Sequence, residues 1–291
     1  MYGINGLAAS SPGITSYVAG WEPILPLKPA KVARRIAERL RPNKERYMAR
    51  QQSLICKGCW QQMHVPIPLR GALSVPFRVV GLRPSRMNPN TCTFCELMFK
   101  RVMKATKITI DATILFADVR AYTSLSQSLS ATAMGDLLDI FYDECAGAIW
   151  EYDGLLNKTI GDAVMAVFNF PIRQENHARQ ALLAARDIQR RCAARKAEFA
   201  ELAGDAGVEV GVGIGIHCGE LSFGEFGRTH RDLTAIGTVV NTASRAQSVA
   251  ASGEILVTAA VCQRVGDDLR DRIARPYELK GFDRPLELYL G

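Results

Sequence analysis

Two aspartates, two cysteine pairs and a short polar helix start are the parts of this 291-residue chain that could do chemistry. Asp118 closes the apolar run ITIDATILFADV, and Asp162 follows Gly161 inside NKTIGDAVMAVF. Each has a plain structural role open to it. Asp118 can cap the helix that AYTSLS begins, and Gly161-Asp162 can be the tight turn of a hairpin. If the first strand is central and the hairpin pairs beside it, the two carboxylates converge. Carboxylates a few ångströms apart repel unless a cation lies between them. Divalent metals bridged by two aspartates are a recurrent way to hold a nucleoside triphosphate.

The segment TAIGTVVNTASR supplies Asn241 and Arg245, four apart and so on one helix face. That pair could grip a ribose oxygen and a phosphate, or be a surface asparagine and a salt-bridging arginine. Lys158 stands four residues before Asp162, and Lys280 precedes a glycine in ELKGF, where a lysine is usually just exposed.

There are eight cysteines. Cys145, Cys192, Cys218 and Cys262 are scattered and read as small core hydrophobes. Cys56 with Cys59 (CKGC) and Cys92 with Cys95 (CTFC) form two C-x-x-C pairs. Four thiolates suit a tetrahedral zinc site, an iron–sulfur cluster or two redox dithiols. The gap between the pairs is longer than in a zinc ribbon. His64 lies near the first pair and reads as a bystander.

Composition is that of a folded protein, 48% hydrophobic and 22% charged. No apolar run is long enough to span a bilayer, and the start lacks a basic-then-apolar leader pattern, so a cytoplasmic protein without a membrane span is expected. The net charge of +7 owes much to residues 28–50. Such a stretch could touch nucleic acid or an anionic membrane, but a solvated helix face is the commoner reason for it. With no C2H2 spacing or RNP signature, nucleic acid is not an expected partner.

Elements must position these groups. Residues 1–28 read as a flexible tail, and 29–106 as a basic cysteine-pair module with a connecting helix over 96–106. A helix is expected over 29–54, and the prolines between 65 and 90 exclude a long helix there. From 107 onward the texture becomes strand (ITIDATILFADV, 108–119), helix to about 150, hairpin (154–168) and one long amphipathic helix over 174–203. VEVGVGIGIHCG and ELSFGEFG read as two strands, followed by a helix at 238–250, EILVT, a short helix at 258–266 and two closing segments. This alternation predicts an α+β fold, one mixed sheet with packed helices.

In this order, LFADVRAYTSLS, NKTIGDAVMAVF, VGVGIGIHCGELSFGEFG, DLTAIGTVVNTASR and ELKGF resemble the catalytic domain of class III nucleotide cyclases, over about 107–291. The resemblance implies a ferredoxin-like α+β domain and a phosphorus–oxygen lyase acting in signal transduction. It would convert ATP to 3′,5′-cyclic AMP and pyrophosphate at a homodimer interface. Asp118, Asp162 and the backbone carbonyl of Val119 would hold two Mg²⁺ or Mn²⁺ ions. One ion would activate the ribose 3′-hydroxyl, and the other would bind the β- and γ-phosphates. Asn241 would orient the ribose, and Arg245 and Lys280 would neutralise phosphate charge.

By the same resemblance, Lys158 with Thr234 would select adenine. A lysine can donate to adenine N1, whereas guanine N1 carries its own hydrogen. Guanylate cyclases typically have Glu at this place. A guanylate cyclase, and a degenerate domain that binds nucleotide without turnover, are the alternatives. One protomer would supply the metal aspartates and its partner the base-selecting pair, the asparagine and the arginine. Thr238, Ala121 and Asn169 depart from the family pattern without removing a catalytic group. The cysteine module, placed just ahead, is expected to sense metal, redox state or a gas and to bias the dimer through helix 96–106.

Overall fold

In the computed structural model, residues 53–204, 210–229, 231–269 and 273–291 are described. The tail 1–28, the basic stretch 28–50 and nearly all of the helix expected over 29–54 lie outside them. The described chain opens with the cysteine segment: α1 (Lys57–Met63), a 3₁₀ turn (Ala72–Ser74), α2 (Val75–Val79) and α3 (Thr93–Ala105). The prolines keep these pieces short, and Pro76 sits in the first turn of α2, where a missing N–H costs little. The connecting helix, expected at 96–106, begins at Thr93 because the Cys92 sulfur caps it by accepting from the Cys95 amide.

Then follow β1 (Ile108–Arg120), α4 (Tyr122–Ser128), α5 (Ala131–Glu151), β2 (Leu155–Ile160), β3 (Ala163–Phe168), α6 (His177–Ala194) and α7 (Lys196–Ala203). The chain continues through β4 (Gly211–Phe226), β5 (Asp232–Ile236), α8 (Thr238–Val249), β6 (Ile255–Thr258), α9 (Ala259–Val265), β7 (Arg275–Tyr277) and β8 (Leu286–Leu290). Among the described residues these strands form one mixed sheet, ordered β2-β3-β1-β4-β6-β8-β7, with β5 pairing β4. The β4–β6 pair is parallel and its neighbours are antiparallel. The predicted α+β architecture is the observed one.

β1 lies at the centre, and Ala112–Ala117 is buried without a break, as a strand covered on both faces must be. Alternate side chains go to opposite faces. Leu115 and Ala117 join Phe141, Ile149 and Ile188 of α5 and α6. Ile114 and Phe116 join Met165, Phe223, Ala243 of α8 and Met103 of α3. No helix among the described residues is long and apolar enough to cross a membrane.

Three expectations on elements are corrected. The two strands read on either side of Gly219 are one strand, because β1 pairs with β4 without interruption and Gly219 simply faces Ala112 in the ladder. The long helix over 174–203 is two helices, α6 and α7, broken at Arg195, whose guanidinium turns inward towards Glu144 at 3.7 Å. The helical stretch before 150 is also two pieces, since Ser130 caps α5 by accepting from the Ala133 amide at 3.2 Å.

One glycine stripe decides where α8 lies. Gly211, Gly213 and Gly215 alternate along β4 and so share a face. A Cβ on Gly215 would stand 2.1 Å from the Gln247 amide nitrogen and 2.5 Å from the Ala243 carbonyl oxygen. A Cβ on Gly213 would stand 2.1 Å from Arg120 Nε. The bare strand thus lets α8 and the Arg120 side chain lie against it. Because backbone atoms meet Gly215, no rotamer change relieves a substitution there. Gly215→Ala is expected to lower stability by at least about 1–3 kcal/mol. Gly135→Ala, on the exposed face of α5 with open space around it, is expected to be neutral or to stabilise by up to about 1 kcal/mol. Urea unfolding of both variants checks the contrast, and equal midpoints would refute it.

Candidate active site

The β1–β3 ladder sets Asp118 opposite Ala163, the residue after Asp162. The turn between β2 and β3 is two residues long, and Gly161 occupies its first position at φ 62°. Space is open around Gly161, so the backbone angle, not crowding, calls for glycine. The Val119 amide donates to the Asp162 carbonyl at 3.2 Å, and the Tyr142 hydroxyl donates to the Gly161 carbonyl. These bonds hold the Asp162 carboxylate against that of Asp118.

The electrostatics follow. Burial, and then the adjacent Asp162 carboxylate, push the Asp118 carboxyl up to about 6. Gln247 Nε2 opposes this by donating to Asp118 Oδ2 at 2.7 Å, and the Arg120 guanidinium stands 3.8 Å away. Asp118 Oδ1 is buried with no hydrogen-bond partner. A buried, unpartnered carboxylate oxygen beside a second carboxylate fits a divalent cation. Arg120 and Gln247 carried no signal of their own in the sequence. The alternating glycines that admit both to the face of β4 were the readable clue.

Helix α8 has two faces with different duties. Positions two apart on a helix point about 160° away from each other. Gln247 faces Asp118, so Arg245 and, one turn earlier, Asn241 face the opposite flank. Asn241 is exposed and Arg245 half-buried. One chain therefore does not bring Asn241 and Arg245 to its own carboxylates.

Lys158 projects from β2 and forms an ion pair with Asp232 of β5. Asn157 Nδ2 donates to the Leu233 carbonyl at 2.9 Å, tying the two strands together. Thr234 lies two residues beyond Asp232 and so on the same side of β5, its hydroxyl donating to the Ala235 carbonyl at 3.4 Å. Asp232 was not singled out in the sequence, since a lone acid at the first position of a strand has no distinguishing pattern. Lys280 is exposed in the connection between β7 and β8.

A second cluster lies in the cysteine segment. The sulfurs of Cys56, Cys59, Cys92 and Cys95 all lie within 4.8 Å of one another. Each pair opens a helix, and Cys56 and Cys92 accept from the Cys59 and Cys95 amides at 3.3 and 3.4 Å. Hydrogen bonds from Cys56 and Cys95 hold the Cys92 thiol down to about 2. Burial pushes Cys59 up to about 12, and the neighbouring sulfurs of Cys56 and Cys92 push Cys95 up. His64 is exposed at the end of α1 and is not among the clustered groups. Beside Cys95 opens an apolar cavity of about 440 Å³, bounded by Met87, Phe94, Met98, Phe99 and Phe170. No lysine or arginine lines it, so it does not suit a triphosphate.

With this geometry in view, residues 105–290 match the adenylate and guanylate cyclase catalytic domain family. The chain belongs to this family. An adenylate cyclase of Anabaena cylindrica is 33% identical over 184 residues, which is 61% of this chain and 36% of that protein. A terminal-differentiation specific adenylate cyclase of Dictyostelium discoideum is 28% identical, with 8% of its length covered. The chain thus spans about a third or less of these curated relatives. The adenylyl cyclase CyaB from P. aeruginosa superposes with a TM-score of 0.57 at 29% identity, over 64% of this chain and 95% of that one. The guanylyl cyclase Cya2, at 24% identity and TM-score 0.58, shares the fold over 63% of this chain and 92% of its own. The cyclase domain is thus one in which both adenylyl and guanylyl cyclases occur.

The raised Asp118 carboxyl has a consequence for stability. The folded cyclase keeps this proton up to about pH 6, while the unfolded chain releases it near the ordinary aspartate value of 3.8. Stability of the metal-free protein therefore falls as pH rises through this window and stays lower above it. Asp118→Asn is expected to melt higher than the parent at pH 8 in a chelator, and at nearly the same temperature below pH 4. Added Mn²⁺ is expected to raise the melting temperature of the parent and leave Asp118→Asn unmoved. A variant less stable than the parent at pH 8 would contradict the carboxylate pairing.

Proposed function

We propose that this protein is an adenylate cyclase that converts ATP to 3′,5′-cyclic AMP and pyrophosphate, with residues 107–291 as its catalytic domain and 29–106 as a regulatory cysteine module. The observation that carries the reading is the Asp118–Asp162 pair, with a buried oxygen left unpartnered at the end of the central strand. Asp118 and Asp162, with the Val119 carbonyl as a further ligand, would hold divalent ions there, which would supply Lewis acidity for the ribose 3′-hydroxyl and for the departing pyrophosphate. The chain's own residues supply the rest. Gln247 and Arg120 keep Asp118 ionised and aimed. Asn241 orients the ribose, and Arg245 and Lys280 offset the charge that grows on the phosphates.

The base is read by Lys158 and Thr234. The Lys158 ammonium has only donors to offer, which matches the bare N1 of adenine and leaves the N1–H of guanine facing another donor. The Thr234 hydroxyl, on the same side of β5, accepts from the adenine amino group. In the single chain Asp232 occupies the ammonium.

The two faces of α8 support a homodimer. Asn241 and Arg245 point away from the carboxylates of their own chain, which leaves them to meet a partner's carboxylates in the proposed homodimer. An isologous pair of copies then carries two equivalent sites. ATP as substrate and eight unpaired cysteines suit a reducing cytoplasm.

Purified protein with Mn²⁺ and either ATP or GTP is expected to yield cyclic AMP from ATP. Asp162→Ala is expected to lower the rate by at least about a hundredfold, because several kcal/mol of charge stabilisation depend on the site. Cyclic GMP as the main product would overturn the base assignment, and no cyclic product from either nucleotide would overturn turnover itself. Mixing inactive Asp162→Ala with inactive Arg245→Ala is expected to restore about a quarter of the parent activity, since half the dimers are mixed and each has one intact site. A mixture as inactive as its parts would refute the shared site.

A further inference from the structure

The dimensions of the thiol cluster decide what it can hold. One ion with thiolates about 2.3 Å away at tetrahedral corners sets them about 3.8 Å from one another. Here Cys56–Cys95 and Cys59–Cys92 are 3.6 Å apart and Cys59–Cys95 is 3.3 Å apart, and every pair lies within 4.8 Å. An iron–sulfur cluster would place the same thiolates on two or more irons with sulfides between them, which spreads the sulfurs beyond one tetrahedron's edge.

The surroundings are those of a closed site. Cys56, Cys59 and Cys92 are buried. Cys56 accepts from the Cys59 and Cys92 amides at 3.3 and 3.2 Å, and Cys92 accepts from the Cys95 amide. A Cβ on Gly58 would lie 2.9 Å from the Cys95 sulfur, so the first pair wraps tightly under the second. Among the described residues, the core around the cysteines contains only Leu69 besides them, with Ile67 and Leu82 packed against it, while Met103 of the same segment joins the core of the sheet. So small a core does not hold a segment together without a staple.

Both cysteine pairs also grip one turn of the cyclase domain. Lys57, inside the first pair, forms an ion pair with Asp153, and its amide donates to the Asn90 carbonyl at 2.9 Å. Asn90, two residues before Cys92, donates to Asp153 Oδ1 at 2.7 Å and to the Trp150 carbonyl at 3.1 Å. Asn88 donates to the Gly154 carbonyl at 3.0 Å, and the Trp150 indole donates to the Met87 carbonyl at 2.8 Å. The turn so held, Trp150–Gly154, ends α5 and feeds β2, the strand that carries Lys158.

We propose that Cys56, Cys59, Cys92 and Cys95 bind a single tetrahedral divalent ion of the zinc class, and that this ion clamps the cysteine segment onto the turn before β2 and so positions Lys158. The ion site stands on the thiols alone. The meaning of placing Lys158 rests on the cyclase reading.

The test uses the full chain. Elemental analysis is expected to find one zinc per chain in colourless protein, and exchange with Co²⁺ to give the absorption of a tetrahedral four-thiolate cobalt centre. Cys92→Ser is expected to lose the ion. Should that variant fail to fold, Cys95→His retains four ligands and is expected to shift the cobalt spectrum to that of a three-thiolate site. Asp162→Ala is expected to keep the full zinc content, which separates this proposal from the fate of the cyclase assignment. Brown protein containing iron and sulfide, or metal-free protein with its thiols in disulfides, would overturn the ion site. For the clamp, Asn90→Ala is expected to retain the zinc while the amides of 157–160 exchange about tenfold faster, as the loss of one or two buried hydrogen bonds predicts. Unchanged exchange in the zinc-loaded variant would overturn the positioning role.

Discussion

Two like charges held in contact at the end of a buried strand are the constraint around which the catalytic half is built. Placing Asp118 beside Asp162 opposes both burial and Coulomb repulsion, and the raised Asp118 carboxyl records that opposition. The fold sustains the arrangement because the groups that carry it are rigid for other reasons. β1 is hydrogen-bonded on both edges and buried on both faces over Ala112–Ala117. The turn that carries Asp162 is fixed by its glycine and by the Val119 and Tyr142 bonds. Strain at such a place is offset by packing elsewhere, which is the usual condition for a preorganised site.

The same constraint explains the glycines of β4. Had Gly213 or Gly215 a side chain, neither Arg120 nor α8 could lie against the strand, and Asp118 would lose its Gln247 donor. An alternation that reads in sequence as a slightly weakened strand is, in three dimensions, the seat of a helix. The helix seated there then has no freedom over which face it shows. Turning Gln247 inward turns Asn241 and Arg245 outward, away from the carboxylate that Gln247 stabilises.

Much of this was legible in the sequence, and the failures have physical causes. The central strand, the hairpin with Gly161-Asp162 at its turn and both cysteine pairs were marked by apolar runs and short spacings, which are local signals. The break at Arg195 was not legible, because it depends on a buried acid, Glu144, fifty-one positions earlier. The unity of β4 was hidden because a glycine ends a strand or sits quietly inside one according to its partner strand, and that partner was Ala112. Asp232, Gln247 and Arg120 were missed for the same reason: each matters through a residue far away in the chain.

The cysteine segment presents the complementary case, in which chemistry substitutes for a core. It is rich in prolines, its helices are a few turns at most, and its apolar residues are too few to exclude water alone. Around the cysteines it has four sulfurs converging from two chain positions and a set of asparagine and lysine contacts to one turn. Directional polar contacts of this kind transmit position well and tolerate displacement poorly, because each is lost over a fraction of an ångström. The segment is joined to the cyclase domain both by these bonds and by Phe99 and Met103 of α3, which pack against the sheet beside Phe223.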